Sequence, residues 1–326
     1  KEKLLELHMY IYVDDVISAG TEVFKKKVMN GLKDAFLIGK IDEGTFRYVG
    51  TNIEQNNDRI VIDQEHYIDS IEMIDMFQYV GMDNNDILDE SGQALFRSKV
   101  GALNWLAVQT RPDIAYEVME LSTCFKRATI KNLKEVNKCI KLVKSEKVKV
   151  VYPKLGQITG WKIKTFSDGA HANLPDKVSS SGGHIVFLED GNGNSCPLGW
   201  ASNKIQRIVR SSLSAEAMTM QESVENSLYI KEMLLDVLSS ERKVNLPIEH
   251  ITDNVSLKNA IYSSHQVKDK RLRIDLASLK QEIGKHEIEV KWIPGGKMLA
   301  DPLSKKSAPK QLLQTILNTG RLELAK

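Results

Sequence analysis

The sequence predicts an α/β fold, a sheet flanked by helices, from three observations: period-two runs, stripes at helical spacing, and acidic residues where strands end. Residues 161–166 (Trp-Lys-Ile-Lys-Thr-Phe) alternate apolar and polar, the pattern of a half-buried strand. Asp168 closes that run, and Gly169 is expected to break it. Residues 248–251 form a short apolar segment ending at Asp253, so two strand-end carboxylates are expected side by side in one sheet. Residues 286–293 alternate again as a final strand. Helical spacing recurs at Val100, Leu103, Leu106 and Ala107, at Leu133, Val136, Ile140 and Val143, and at Ala217, Met220, Val224 and Leu228. The last of these helices carries Glu216 in its first turns, behind a Ser212 or Ser214 cap.

Composition bounds the answer. With 326 residues, 42% hydrophobic and 27% charged, the chain can build two or three domains with cores of their own and is not a disordered tail. A formal net charge of +2 means that nucleic-acid binding has to rest on local basic clusters. Cys124, Cys139 and Cys196 are odd in number and widely spaced, which argues against a disulfide framework and against a zinc site. The expected setting is reducing and intracellular, a cytoplasmic particle or the nucleus, not secreted. No apolar run reaches the roughly 18 residues of a membrane span, so no membrane partner is expected. Because the first residue is Lys1, the chain is expected to be a piece of a longer one.

In chain order, the apolar residues 9–13 meet Asp14-Asp15 before Val16-Ile17, a strand, a tight turn and a strand. By itself this is turn chemistry as readily as a site. Residues 51–62 read as a hairpin around Asn56-Asn57-Asp58. A helical pattern opens at Gln64 and runs through Ile74, and residues 81–92 read as a loop. Gly101 and Ala102 are expected to allow close approach of a second helix. Thr110-Arg111-Pro112-Asp113 ends one helix and starts another. Lys131, Lys134, Lys138 and Lys141 share a helix face, either merely solvated or tracking phosphates. Residues 152–156 break the pattern, and a domain boundary is placed there.

The chemistry converges on Asp168, Glu216, Asp253 and Asp301. Carboxylates brought close together raise one another's pKa, so a positive group is needed among them. Hard oxygen donors without Cys or His suit Mg²⁺ or Mn²⁺, and two ions about 3.5–4 Å apart would clamp the attacking and leaving oxygens of a phosphodiester. Two basic clusters flank these residues, Lys204, Arg207 and Arg210 before the Glu216 helix and Lys270, Arg271 and Arg273 in a later one. Both are candidates for nucleic-acid backbone contacts.

These residues, with Gly182-Gly183-His184-Ile185-Val186-Phe187, Leu198-Gly199-Trp200-Ala201-Ser202 and Ser211-Ser212-Leu213-Ser214-Ala215 around them, resemble the ribonuclease H domain of copia-type retrotransposon Pol polyproteins. Tyr12-Val13-Asp14-Asp15 resembles the reverse transcriptase signature whose tandem aspartates hold metal on a palm hairpin. Residues 97–103 and 110–116 are similar to a further recognisable Pol segment, although no chemical role follows from it. The resemblance spans essentially the whole chain. It implies a partial palm over 1–62, a helical thumb or connection over 63–155, a ribonuclease H domain with a mixed five-stranded sheet over 156–307, and a helical tail over 308–326.

The activity implied is cleavage of the RNA strand of RNA–DNA hybrids with two Mg²⁺ or Mn²⁺ ions held by Asp168, Glu216, Asp253 and the more exposed Asp301. The implied partners are the hybrid and the N-terminal part of Pol. Asp14 and Asp15 are expected to be a polymerase remnant without activity in this chain. Where the family commonly has Lys-His-Ile, this sequence has Leu272-Arg273-Ile274, and arginine cannot shuttle protons as an imidazole does. Two other readings stay open: reverse transcription within a longer Pol, or an inactive nucleic-acid-binding remnant of a decayed element.

Overall fold

Three sheets and their helices follow one another along the chain in a computed structural model that describes residues 7–238, 244–264 and 267–324. The elements begin with β1 (Leu7–Tyr12), β2 (Asp15–Gly20), α1 (Glu22–Ala35), β3 (Thr45–Tyr48), β4 (Thr51–Gln55) and β5 (Arg59–Asp63). There follow α2 (Glu65–Ser70), α3 (Glu90–Gln109), α4 (Ala115–Ser122), α5 (Ile130–Ser145) and β6 (Val150–Pro153). The second half contains β7 (Lys162–Ala170), β8 (Ser181–Glu189), β9 (Ser195–Lys204), α6 (Ser212–Leu238), β10 (Ile248–Thr252), α7 (Val255–Tyr262), α8 (Lys270–Lys285), β11 (Glu289–Trp292), α9 (Asp301–Ser304) and α10 (Gln311–Thr319).

The largest sheet has the order β11-β10-β7-β8-β9. β7, β8 and β9 are antiparallel neighbours, while β10 lies parallel to β7 and β11 parallel to β10. This is the mixed five-stranded sheet expected. The parallel pairs require crossovers, and α6 and α8 supply them. One face, with Ile163, Val186 and Leu188, is covered by α6 through Ala217, Met220 and Val224 and by α8 through Leu276 and Leu279. The opposite face, with Phe166, Ile185, Phe187 and Ile251, joins a core that includes Leu303, Ile316 and Leu103. Phe166 and Phe187 meet edge to face at 6.1 Å there, and each fully buried side chain of this size contributes about 1.5–3 kcal/mol.

A four-stranded antiparallel sheet has the order β3-β4-β5-β6. Its last strand comes from beyond the helical segment, so the sheet takes strands from both sides of that segment. The β1–β2 hairpin turns at Asp14 with Tyr12 opposite Asp15, and exposes Tyr10, Ile11, Tyr12 and Val13.

Several local expectations change. The helix opened at Gln64 stops at Ser70 instead of running to Ile74, because the buried Asn137 side chain takes both the N–H and the carbonyl of Ile74, each at 2.8 Å, and holds that segment extended. α3 starts within the expected loop, since Asp89 accepts from the Gly92 amide at 2.7 Å as an N-cap. Gly101 does not admit a neighbouring helix: it is exposed, and a Cβ there would meet nothing within 4 Å.

Gly169 does not break β7 either. It pairs with Gly182 and the strand runs on to Ala170. Its missing side chain serves the close packing of α6, since a Cβ at Gly169 would stand 2.5 Å from the Ala215 carbonyl carbon. The cap of α6 is Ser211 rather than Ser212 or Ser214, its Oγ accepting from the Ser214 amide at 3.2 Å. The final strand is only Glu289–Trp292.

The segment 110–113, for which the sequence offered no role, forms a buried hub. Arg111 and Asp113 are both fully buried and paired, with Arg111 Nε donating to Asp113 Oδ1 at 2.8 Å and Nη2 to Oδ2 at 2.9 Å. Arg111 Nη1 donates to the Val143 and Glu146 carbonyls at the end of α5. Gln314 of α10 donates to Asp113 and to Glu146, binding the tail helix to the same hub. Gly320 ends α10 in the left-handed region at φ 66°.

Candidate metal centre

Asp168, Glu216 and Asp253 come from three separate elements and offer carboxylate oxygens that all lie within 4.8 Å of one another. Asp168 sits two residues before the end of β7 with its side chain 1% exposed. Glu216 is in the second turn of α6, brought against β7 by the contact at Gly169. The Gly169 amide donates to its Oε2 at 3.3 Å and Asn254 Nδ2 to its Oε1 at 3.3 Å. Asp253 follows β10, which the parallel register sets beside β7.

Asp301 stands next to this group rather than within it. It opens α9 and is linked to Asp168 through Lys305, whose Nζ donates to Asp301 Oδ1 at 2.9 Å and to Asp168 Oδ1 at 3.0 Å. Ser304 Oγ donates to Asp168 Oδ2. β8 admits α9 so close because Gly183 has no side chain, where a Cβ would stand 2.5 Å from Leu303.

Charge crowding shows in the protonation equilibria. Burial, and then the Asp168 charge, push the Glu216 carboxyl up to about 8. Asp253 is raised by the same two causes. Asp301 is raised by burial and Asp168, with Lys305 opposing. Lys305 is itself raised: burial works against its charge, and Asp168 and Asp301 outweigh it. Three converging carboxylates, two buried and one half-buried, with no thiol or imidazole among them, fit a hard divalent cation. Lys305 and Ser304 escaped the sequence reading. The one available signal was the i,i+4 spacing of Asp301 and Lys305.

The other candidates lie elsewhere. Asp14 and Asp15 are exposed on the β1–β2 turn, and no further carboxylate groups with them among the described residues. The two basic clusters come together, since Arg207 pairs with Asp275 and Arg210 with Asp269 at 3.5 Å, joining the loop after β9 to the start of α8. Lys204 pairs with Asp176 at 3.6 Å. Arg207, Arg210 and Arg271 line one shallow depression with Ser214. Lys270, Arg271 and Arg273 are exposed. His184 on β8 and His250 on β10 lie buried on the strands either side of β7, His250 Nε2 against Ser167 Oγ at 2.8 Å and His184 Nε2 against Asn226 at 2.9 Å.

No family model matches the chain. Among curated proteins, it is 22% identical over 317 residues to the retrovirus-related Pol polyprotein from transposon RE1 of Arabidopsis thaliana, covering 92% of this chain and 20% of that protein. It is 23% identical over 315 residues to the corresponding polyprotein from transposon RE2, covering 92% and 21%. It is also 23% identical over 236 residues to the putative transposon Ty5-1 protein of Saccharomyces cerevisiae, covering 67% and 73%. The chain thus spans about a fifth of the length of the two plant relatives. Among solved structures, LC11-RNase H1 isolated from compost is 19% identical, with 44% of this chain and 92% of that one covered at a TM-score of 0.34. RNase H1 from Halobacterium salinarum is 14% identical, with 44% and 94% covered at 0.34. The chain's curated relatives are copia-type retrotransposon Pol polyproteins, and its similarity to the two plant proteins extends over 92% of its own length.

Proposed function

We propose that this chain is a reverse transcriptase/ribonuclease H segment of a Pol polyprotein and that its activity is metal-dependent endonucleolytic cleavage of the RNA strand of RNA–DNA hybrids. The observation that carries the reading is the convergence of Asp168, Glu216 and Asp253 from β7, α6 and the end of β10. Asp168, Glu216 and Asp253 hold the divalent ions, two Mg²⁺ or Mn²⁺, with Asp301 as the fourth and more peripheral ligand. When bound, such ions supply Lewis-acid stabilisation of the charge that develops on the phosphodiester oxygens.

The remaining work falls to the protein. The Gly169 amide and Asn254 orient both oxygens of Glu216, and Ser304 and Lys305 fix those of Asp168. The basic surface of Lys204, Arg207, Arg210, Lys270, Arg271 and Arg273 holds the hybrid by its phosphates, so binding weakens as salt rises. Contacts to 2′-hydroxyls across the minor groove select RNA in the cut strand. The proposed units are the palm portion 1–62, the connection 63–155, the nuclease 156–307 and the tail 308–326, and the proposed setting is intracellular. The exposed Asp14-Asp15 turn, which has no third carboxylate beside it among the described residues, supports a polymerase site that is silent in this chain.

The test is cleavage of a labelled RNA–DNA hybrid by the purified chain with Mg²⁺ or Mn²⁺. Cutting that Asp168→Asn abolishes is the expected result. Binding without cutting would favour the remnant reading, and templated nucleotide incorporation would overturn the silent polymerase.

A further inference from the structure

α9 is four residues long, too short to hold its own shape, and no side chain caps its start. Yet Ser304 and the following Lys305 both have to meet Asp168, and Lys305 has to link it to Asp301. What fixes them comes from the start of β8 and the loop before it, and from α4, whose Glu120 lies 186 positions before Lys306. The Ser304 carbonyl accepts from Ser181 Oγ at 2.7 Å and from Asn173 Nδ2 at 3.0 Å, and the same Asn173 nitrogen donates to Tyr116 Oη at 3.2 Å. Just beyond α9, Lys306 Nζ meets Glu120 at 2.7 Å and Lys310 Nζ meets Glu117 at 2.6 Å. The Glu117–Lys310 pair is largely shielded from water, with side chains 24% and 15% exposed, and Glu120 is 14% exposed. The Glu117–Lys310 pair therefore holds more firmly than an open surface pair, while Lys306, 50% exposed, leaves its pair with Glu120 partly open to water. Tyr116 is itself buried, and burial keeps its hydroxyl neutral.

We infer that α4 clamps the α9 segment against Asp168, which makes Tyr116, Glu117 and Glu120 positioning residues of the metal centre although none of them faces the metal-binding carboxylates. The inference rests on the nuclease reading and gives the 110–116 segment a part in it: the helical region before the sheet shapes the site. Residues that orient metal ligands from behind typically contribute 10- to 100-fold in metal affinity.

The experiment uses the full chain and compares Mn²⁺ affinity by calorimetry with kcat and KM on a labelled hybrid. Glu117→Gln combined with Glu120→Gln is expected to lower Mn²⁺ affinity about tenfold and kcat with it, leaving KM for the hybrid unchanged. The milder Tyr116→Phe keeps the ring packing and should move the same two quantities in the same direction. Exchanging the charges, Glu120→Lys with Lys306→Glu, should restore affinity lost in Glu120→Lys alone. Wild-type Mn²⁺ affinity in the double variant and in Tyr116→Phe would overturn the clamp, and so would a lower melting temperature with affinity unchanged. Hybrid cleavage by the unaltered chain would show in either case that the nuclease reading stands. An unaltered chain that neither binds Mn²⁺ nor cleaves would overturn both.

Discussion

Gly169→Ala is the sharpest probe of how the carboxylates are brought together. A Cβ at that position would stand 2.5 Å from the Ala215 carbonyl carbon, 2.6 Å from its oxygen and 2.7 Å from the Glu216 nitrogen. All three are backbone atoms, so no flexible side chain can yield. Ordinary carbon contacts begin near 3.5 Å, so α6 has to retreat from β7 by roughly 1 Å. Overpacking of this kind costs about 1–3 kcal/mol, and a backbone obstacle puts the substitution at the upper end. At about 2–4 °C per kcal/mol for chains of 150–250 residues, several degrees of melting temperature should be lost. Because Glu216 moves with α6, Mn²⁺ affinity should fall as well.

Gly101→Ala is the control, since its Cβ meets nothing and it lies within α3. There the better helix propensity of alanine should add about 0.5–1 kcal/mol. Differential scanning calorimetry and Mn²⁺ titration of both variants decide the matter. A Gly169→Ala protein with wild-type melting temperature and Mn²⁺ affinity would refute the close packing of α6 on β7.

Arg111→Met takes the paired cation from the buried Asp113 carboxylate, leaving it the Gln314 hydrogen bond and the more distant Lys310 charge, and should cost about 3–5 kcal/mol in urea denaturation. Arg111→Met with Asp113→Leu should recover much of the loss, and equal loss in both would remove the pairing argument. Burial pushes His184 down to about 4 and His250 to about 3 from an ordinary 6.5. The unfolded chain therefore takes up protons that the folded chain refuses, and stability present above pH 6.5 is lost as pH falls towards 4 and then 3. Urea midpoints at pH 7 and pH 5 should differ less in His250→Gln than in the parent, and an unchanged slope would refute the assignment. Since Glu216 without metal titrates at about 8, Mn²⁺ binding should release protons and strengthen as pH rises towards 8. Calorimetry in buffers of differing ionisation enthalpy should show proton release below that pH and little above it.

Three of the five strands were legible from pattern, at 161–166, 248–251 and 286–293, whereas β8, buried along its whole length, shows no alternation, and it, β9 and the five-stranded sheet were expected only from the resemblance. Asp168 and Asp253 could be singled out because each stands at or near a strand end, and Glu216 because it stands near a helix start. Residues whose meaning is non-local were not legible. Ser304 and Lys305 look like a solvated Ser-Lys pair until α9 is folded over Gly183. Arg111 reads only as part of a junction between two helices until Asp113, the end of α5 and Gln314 close around it. The two misread glycines share one cause. A sequence shows that a side chain is missing but not which backbone needs the space, so Gly169 read as a breaker and Gly101 as a contact, whereas Gly169 makes the contact and Gly101 makes none. The helix opened at Gln64 stopped short because Asn137, 63 positions away, competes for the Ile74 backbone.

The pairing of β5 with β6 bears on how the chain is made. Ile62 lies opposite Val150 and Arg59 opposite Pro153, so the small sheet is completed only after the intervening helices have been synthesised. Ribosomal output reaches these strands seconds apart at about 5–20 residues per second, and β5 waits with an open edge meanwhile. The same ladder means that a proteolytic cut in the 63–149 segment would leave two pieces still zipped together by β5 and β6. Separating the hairpin-bearing part from the part with the five-stranded sheet would require peeling a strand out of a sheet.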